Sequence, residues 1–264
     1  GTEEYSVMPL RNTVLFPQQV IPIYIGREKS LKLISDLELE KRKYIIVVAQ
    51  EDGSIEDPST EDLYSYGTLA TVLKVFAMPD NSKSAIVQGI ARVKILDYLE
   101  KEPYFKAAAS KVSDEPISDQ LEIDDIVDNL RTSFSDLIKV APNLTEEHTG
   151  MLSNIKKPNR LVDRAISLMT LPNQEKQEIL EEVNIKNRID KAVSIINREI
   201  QRIKLGEEIQ TEVHDEIAKT QREYYLREQM KAIQKELGED EGTVELKELQ
   251  DKIKAAKMPE ESEA

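Results

Sequence analysis

Residues 185–237 read IKNRIDKAVSIINREIQRIKLGEEIQTEVHDEIAKTQREYYLREQMKAIQKEL, with no proline and a single glycine, Gly206. Seam positions recur at Ile185, Ile189, Ala192, Ile196, Ile200 and Ile203, then at Ile209, Val213, Ile217, Thr220 and Tyr224. A second register follows at Leu226, Met230, Ile233 and Leu237. Steps of three and four are the seam of a coiled coil or a long bundle helix. At its rise per residue such a helix would reach on the order of 80 Å, too long for a compact domain of this size. Its early part is expected to pack on preceding helices. The part from about Glu207 must pack on something else or project into solvent.

Working back from this run, the spacing predicts helices at Leu121–Val140, Thr145–Asn154, Asn159–Thr170 and Asn173–Glu182. Pro142, Pro158 and Pro172 punctuate them near helix starts, where a missing N–H costs little, and Asn173 offers a cap. Ser113–Gln120, with Pro116, reads as a linker. Before it the chemistry changes. Ten of the 13 Tyr and Phe residues fall within the first 115 positions, which carry 14 basic and 18 acidic residues, a net of −4. The remainder carries 22 basic and 32 acidic residues, so −10 of the formal −14 belongs to the helical half. Aromatic and β-branched side chains favour strands, whereas Glu, Lys, Gln and Leu favour helices.

Strands are accordingly expected at Tyr5–Leu10, Val20–Ile25, Tyr44–Gln50, Thr68–Ala77, Ser84–Ile95 and Tyr104–Ser110. Met78-Pro79-Asp80-Asn81-Ser82 is a hairpin turn. Pro22 removes a ladder donor and pushes Val20–Ile25 to a sheet edge or a bulge. One helix, Ser30–Glu40, interrupts the strands with Ser30 as its cap, and 51–62 is an acidic loop. Beyond the long helix, Gly238–Gly242 breaks the pattern and Val244–Lys257 resumes a short amphipathic helix. The chain stops at Met258–Ala264 without a closing element, which reads as a cut within something larger. The fold class is α+β. A small β-rich N-terminal subdomain (1–115) precedes an α-helical bundle subdomain (116–206), and residues 207–264 supply a long extended C-terminal helix and a short one.

Composition excludes several chemistries. Without Cys there is no disulfide, thiolate nucleophile or Cys-based metal site. His148 and His214 are far apart and lack evident partners for a triad. No Gly-Lys pair exists for a phosphate-binding loop, so Gly26-Arg27-Glu28-Lys29-Ser30 reads as a turn and helix start. Adjacent acids such as Asp124-Asp125 and Glu181-Glu182 point about 100° apart on a helix and do not converge on an ion. No catalytic, cofactor-binding or metal-ligating residue is therefore assigned. The acidic balance argues against a nucleic-acid clamp. No window approaches the roughly 18–20 apolar residues of a membrane span, the N-terminus lacks a signal-peptide pattern, and the chain is expected in the cytoplasm. What remains is binding. Phe16, Pro22, Tyr24, Phe76, Met78 and Pro79 are the substrate-binding candidates, with a core role open for Phe16, Tyr24 and Phe76. Met78 and Pro79 sit at a hairpin tip, and Met suits varied apolar partners.

Seven segments carry a family resemblance in order: PLRNTVLFP (9–17), GREKS (26–30), YGTLA (66–70), VQGIAR (87–92), EPY (102–104), LPNQEKQ (171–177) and QREYYLREQMKAI (221–233). Together they resemble the N-terminal region of the bacterial Lon family of ATP-dependent proteases. In that family an AAA+ ATPase and a protease domain with a Ser–Lys dyad follow this region, so the resemblance places ATP and Mg in the longer parent and none in this piece. It implies recognition of unfolded or degron-bearing proteins and a part in hexamer assembly. Tyr224, Tyr225, Leu226 and Met230, apolar on a segment with no bundle of its own, are the candidates for contacts with other copies of the chain. Two alternatives stay open: a purely structural coiled-coil scaffold, and a free-standing chaperone-like adaptor.

Overall fold

A computed structural model describes residues 1–237 and 250–253. Residues 1–201 form one compact unit and residues 202–264 a second. The expected break at Gly238–Gly242 and most of the expected helix Val244–Lys257 lie outside the described residues.

The first unit begins with six strands: β1 (Thr2–Leu10), β2 (Val20–Ile25), β3 (Tyr44–Ala49), β4 (Tyr66–Ala77), β5 (Lys83–Glu100) and β6 (Phe105–Lys111). Their order is β2-β5-β4-β3-β1-β6, and a further pairing of β5 with β6 closes five of them into a ring. The 18-residue β5 makes this possible. Its Lys83–Gln88 stretch pairs with β2, and Val93–Glu100 pairs with β6 across two register shifts. Side chains alternate across a strand, so each strand of the ring feeds two cores. Val7, Ile46, Leu69, Val93 and Phe105 meet on one face. Met8, Val47, Ala70 and Val87 meet on the other, with Ile23 and Ile25 of β2 and Leu33, Ile34 and Leu37 of the helix α1 (Glu28–Leu39). Because α1 lies outside the ring, the first set fills its interior. Of the two positions open to a Pro-bearing strand, an edge or a bulge, β2 takes the edge, with β5 its sheet neighbour.

Helices α2 (Gln120–Val140), α3 (Glu146–Ser153), α4 (Pro158–Leu168), α5 (Asn173–Glu181) and α6 (Ile185–Leu237) follow. The fold is the expected α+β arrangement. Three local expectations change. Helix α1 starts two residues before Ser30, with Arg27 at its N-cap; the Arg27 guanidinium donates to the Pro9 carbonyl at 2.8 Å. At α5 the N-cap is Pro172, and Asn173 is already helical. The 113–120 segment is not a free linker. Glu115 donates to Val183 O at 2.8 Å and accepts from Ile185 N–H at 3.1 Å, while Asp114 pairs with Arg188.

That last pair belongs to a buried brace that ties the sheet to the helices inside the first unit. Arg92 on β5 donates to both oxygens of Asp163 on α4, at 2.7 and 2.8 Å, and its Nε donates to Leu180 O at the end of α5, at 2.7 Å. Arg188 of α6 reaches Asp163 at 3.4 Å, Asp114, and Glu182 O at 2.7 Å. Planar guanidinium groups suit such two-oxygen pairing. The division expected near residue 115 thus falls inside one compact unit, whose halves share this network. Within it the α6 seam is buried at Ile185, Ile189, Ala192, Ile196 and Ile200. In the second unit the seam is exposed at Ile209, Val213 and Ile217.

Candidate functional site

The outer face of β2, β5 and β4 gathers most of the proposed binding residues. Register places Tyr24 opposite Ser84 and Ser84 opposite Phe76, so the two aromatics flank Ser84 in one row across three strands. At the usual strand spacing they stand about 10 Å apart. Along β2, Val20, Pro22 and Tyr24 point outward while Ile23 and Ile25 point into the core. Tyr24 is 68% exposed, Phe76 39% and Met78 41%. Pro79 is exposed beside Met78.

The local chemistry fixes this arrangement. A Cβ at Gly26 would sit 2.7 Å from Tyr24 Cε1, so glycine leaves room for the ring to lie back over the chain. The Tyr24 hydroxyl donates to Asp80 Oδ2 at 3.3 Å, which joins the edge strand to the hairpin tip. The tip is a tight turn: Met78 N–H donates to Ser82 O at 2.9 Å, and Asn81 takes φ 65°. The Ser82 hydroxyl, followed by the Ser82 N–H and to a smaller extent Tyr24, holds the Asp80 carboxyl below its ordinary range. Lys74 places its ammonium 4.9 Å from the Phe76 ring centre, a cation–π contact on the same face.

Phe16 does not share this face. It is 1% exposed, because the turn after it folds onto Gly89, where a Cβ would lie 2.2 Å from Phe16 O. Sequence reasoning missed Val20 and Leu73, both exposed apolar residues. Val20 was open to discovery, since it alternates with Pro22 and Tyr24. Leu73 was not, because the register shift between Val72 and Lys74 turns it outward and leaves no sequence signal. On the second unit, Tyr224 and Tyr225 are largely exposed, and Leu226 and Met230 are half-buried.

His148 is the third residue of α3, where its Nδ1 accepts from Thr145 N–H at 3.0 Å as part of a helix cap. Among the described residues no three His, Cys, Asp or Glu side chains are placed to hold a metal. No described helix is long and apolar enough to cross a membrane.

A strand ring with an attached helical array, presenting Tyr24 on its edge strand and Phe76 on β4 two strands in, has the build of a binding domain. A family model described as the ATP-dependent protease La (LON) substrate-binding domain matches residues 4–198, and the chain belongs to that family. The Lon protease of Dictyoglomus thermophilum is 40% identical over 261 residues, which are 98% of this chain and 33% of that protein. That of Koribacter versatilis is 41% identical over 97% of this chain and 31% of the relative. This chain thus spans about a third of the length of these relatives. Among solved structures, the N-terminal domain of Mycobacterium avium complex Lon protease shares the fold at a TM-score of 0.61 and 18% identity. It covers 74% of this chain and 98% of that one. A Lon N-terminal domain protein from Xanthomonas campestris does so at 0.52 and 15% identity, over 73% and 98%.

Proposed function

We propose that this chain recognises unfolded or degron-bearing proteins for a longer ATP-dependent protease, through the apolar strip of Pro22, Tyr24, Phe76, Met78 and Pro79. The observation that carries the reading is the row of two outward aromatics, Tyr24 on the edge strand β2 and Phe76 on β4, beside a Met-bearing tip. An unfolded chain exposes apolar side chains that a folded one buries, and shielding them from water drives association. In this reading residues 1–115 recognise substrate, 116–206 support them, and 207–264 lead towards the rest of the protein. The chain itself is non-catalytic and cytoplasmic and binds no nucleic acid; ATP and Mg act elsewhere in the parent. The test is a titration of one labelled protein, folded and unfolded, against the 264-residue chain. Tighter binding of the unfolded form is expected, and equal or absent binding removes the reading.

The exposed α6 seam favours a second role, assembly with other copies of the chain, because half-exposed Ile and Val at seam spacing suit a partner helix. Tyr224, Tyr225, Leu226 and Met230 are the proposed contacts. Sedimentation of chains with and without the residues after Gly206 should give a mass that falls to monomer on truncation. An unchanged mass removes the assembly role.

A further inference from the structure

In the first unit a cleft of about 700 Å³ opens between the Phe16–Val20 turn and the start of α4. One wall is rigid. Gln18, at φ 69°, donates its N–H to Gly89 O at 2.9 Å, and Gly89 N–H donates to Gln19 O at 2.9 Å. The other wall carries Lys156, Lys157, Arg160 and Arg164. Lys156, Lys157 and Arg160 are exposed and Arg164 is half-buried. Among the described residues none of these four side chains has a hydrogen bond or ion pair. Asp163 also lines the cleft, but both its oxygens are taken by Arg92 and Arg188. Arg160 and Arg164 stand one turn apart on α4, a spacing at which like charges repel. Uncompensated cations are thus gathered at one place on a chain of net −14.

The cleft is continuous with the apolar strip. Val20, which shares the outer face of β2 with Pro22 and Tyr24, also lines the cleft. We propose that the cleft binds an acidic segment of polypeptide that continues from the apolar stretch on the strip; this rests on the substrate-recognition reading above. A polypeptide running along β2 from Tyr24 to Val20 arrives among the four cations. The amides of Gln18, Gln19 and Asn154 match its peptide groups. A nucleic acid fits less well, because the one aromatic in the lining, Phe16, is buried and offers no stacking face, and the chain's net charge repels a polyanion at range.

The experiment uses the 264-residue chain and two labelled peptides that share an apolar aromatic half. One continues into a run of Glu, the other into a run of Gln. By fluorescence anisotropy the Glu peptide should bind roughly tenfold tighter at low salt. This preference should vanish at high salt and in Lys156→Glu/Arg160→Glu, with Lys156→Gln/Arg160→Gln intermediate and thermal melting unchanged. Equal binding of both peptides overturns the cleft assignment and leaves the strip reading standing. Binding of neither overturns both. A cleft-dependent single-stranded oligonucleotide or inorganic polyphosphate that binds more tightly than the Glu peptide overturns the polypeptide assignment.

Discussion

Asp163→Ala is expected to destabilise the first compact unit by about 3–5 kcal/mol, the usual cost of removing one partner from a buried ion pair. The Asp163 and Arg92 side chains are 6% and 3% exposed. With the carboxylate gone, Arg92 retains Leu180 O and Ile179 O and Arg188 retains Asp114 and Glu182 O. Two guanidinium charges then share one remaining carboxylate in a site that water does not enter freely. For a unit of this size the melting temperature should fall on the order of 10 °C. Urea unfolding followed by far-ultraviolet dichroism would measure it. Because the brace joins β5 to α4, α5 and α6, sheet and helices should melt together in the parent chain and separately in the variant. Arg92→Met/Asp163→Leu removes both charges and should recover much of the loss, since apolar replacement of a whole buried pair is often nearly neutral. A cost below about 1 kcal/mol for Asp163→Ala would contradict the buried-brace account.

The second large effect concerns binding. Tyr24→Ser/Phe76→Ser is expected to weaken capture of an unfolded protein by roughly 10- to 100-fold, about 1.4–2.7 kcal/mol. Aromatic anchors at the centre of an interface carry such energies, whereas surrounding contacts are close to neutral. Both rings already face solvent, so the same substitutions should leave folding stability within about 1 kcal/mol. That separation matters, because a variant that merely unfolds would expose apolar surface and bind other chains indiscriminately. Met78→Glu should weaken capture less, since the tip offers one flexible side chain rather than a fixed ring.

Much of the fold was legible because strands and helices announce themselves by period. Val20, Pro22 and Tyr24 alternate with core-facing Ile23 and Ile25, and Pro22 restricted β2 to an edge or a bulge, of which the sheet takes the edge. The hairpin at 78–82 followed from its Pro, Asp and Asn. What was not legible depends on groups far apart in the chain. Arg92 and Asp163 are 71 positions apart, and nothing in either segment marks the other as its partner. Nor does the seam of α6 say where its burial ends. Ile200 is buried and Ile209 exposed, yet both satisfy the same spacing. At the binding face, Tyr24, Phe76 and Met78 could be named from residue type, but Phe16 could not be told from them until its turn was seen to fold onto Gly89. Leu73 was hidden because a register shift breaks the alternation that sequence reading relies on.

The most direct test of the recognition surface is a side-by-side titration of one labelled protein, folded and unfolded, against the 264-residue chain and its Tyr24→Ser/Phe76→Ser variant. The account predicts tight binding of the unfolded form to the parent chain alone, with the variant fully folded and the folded ligand ignored by both. Equal capture of the unfolded form by the two chains would contradict it.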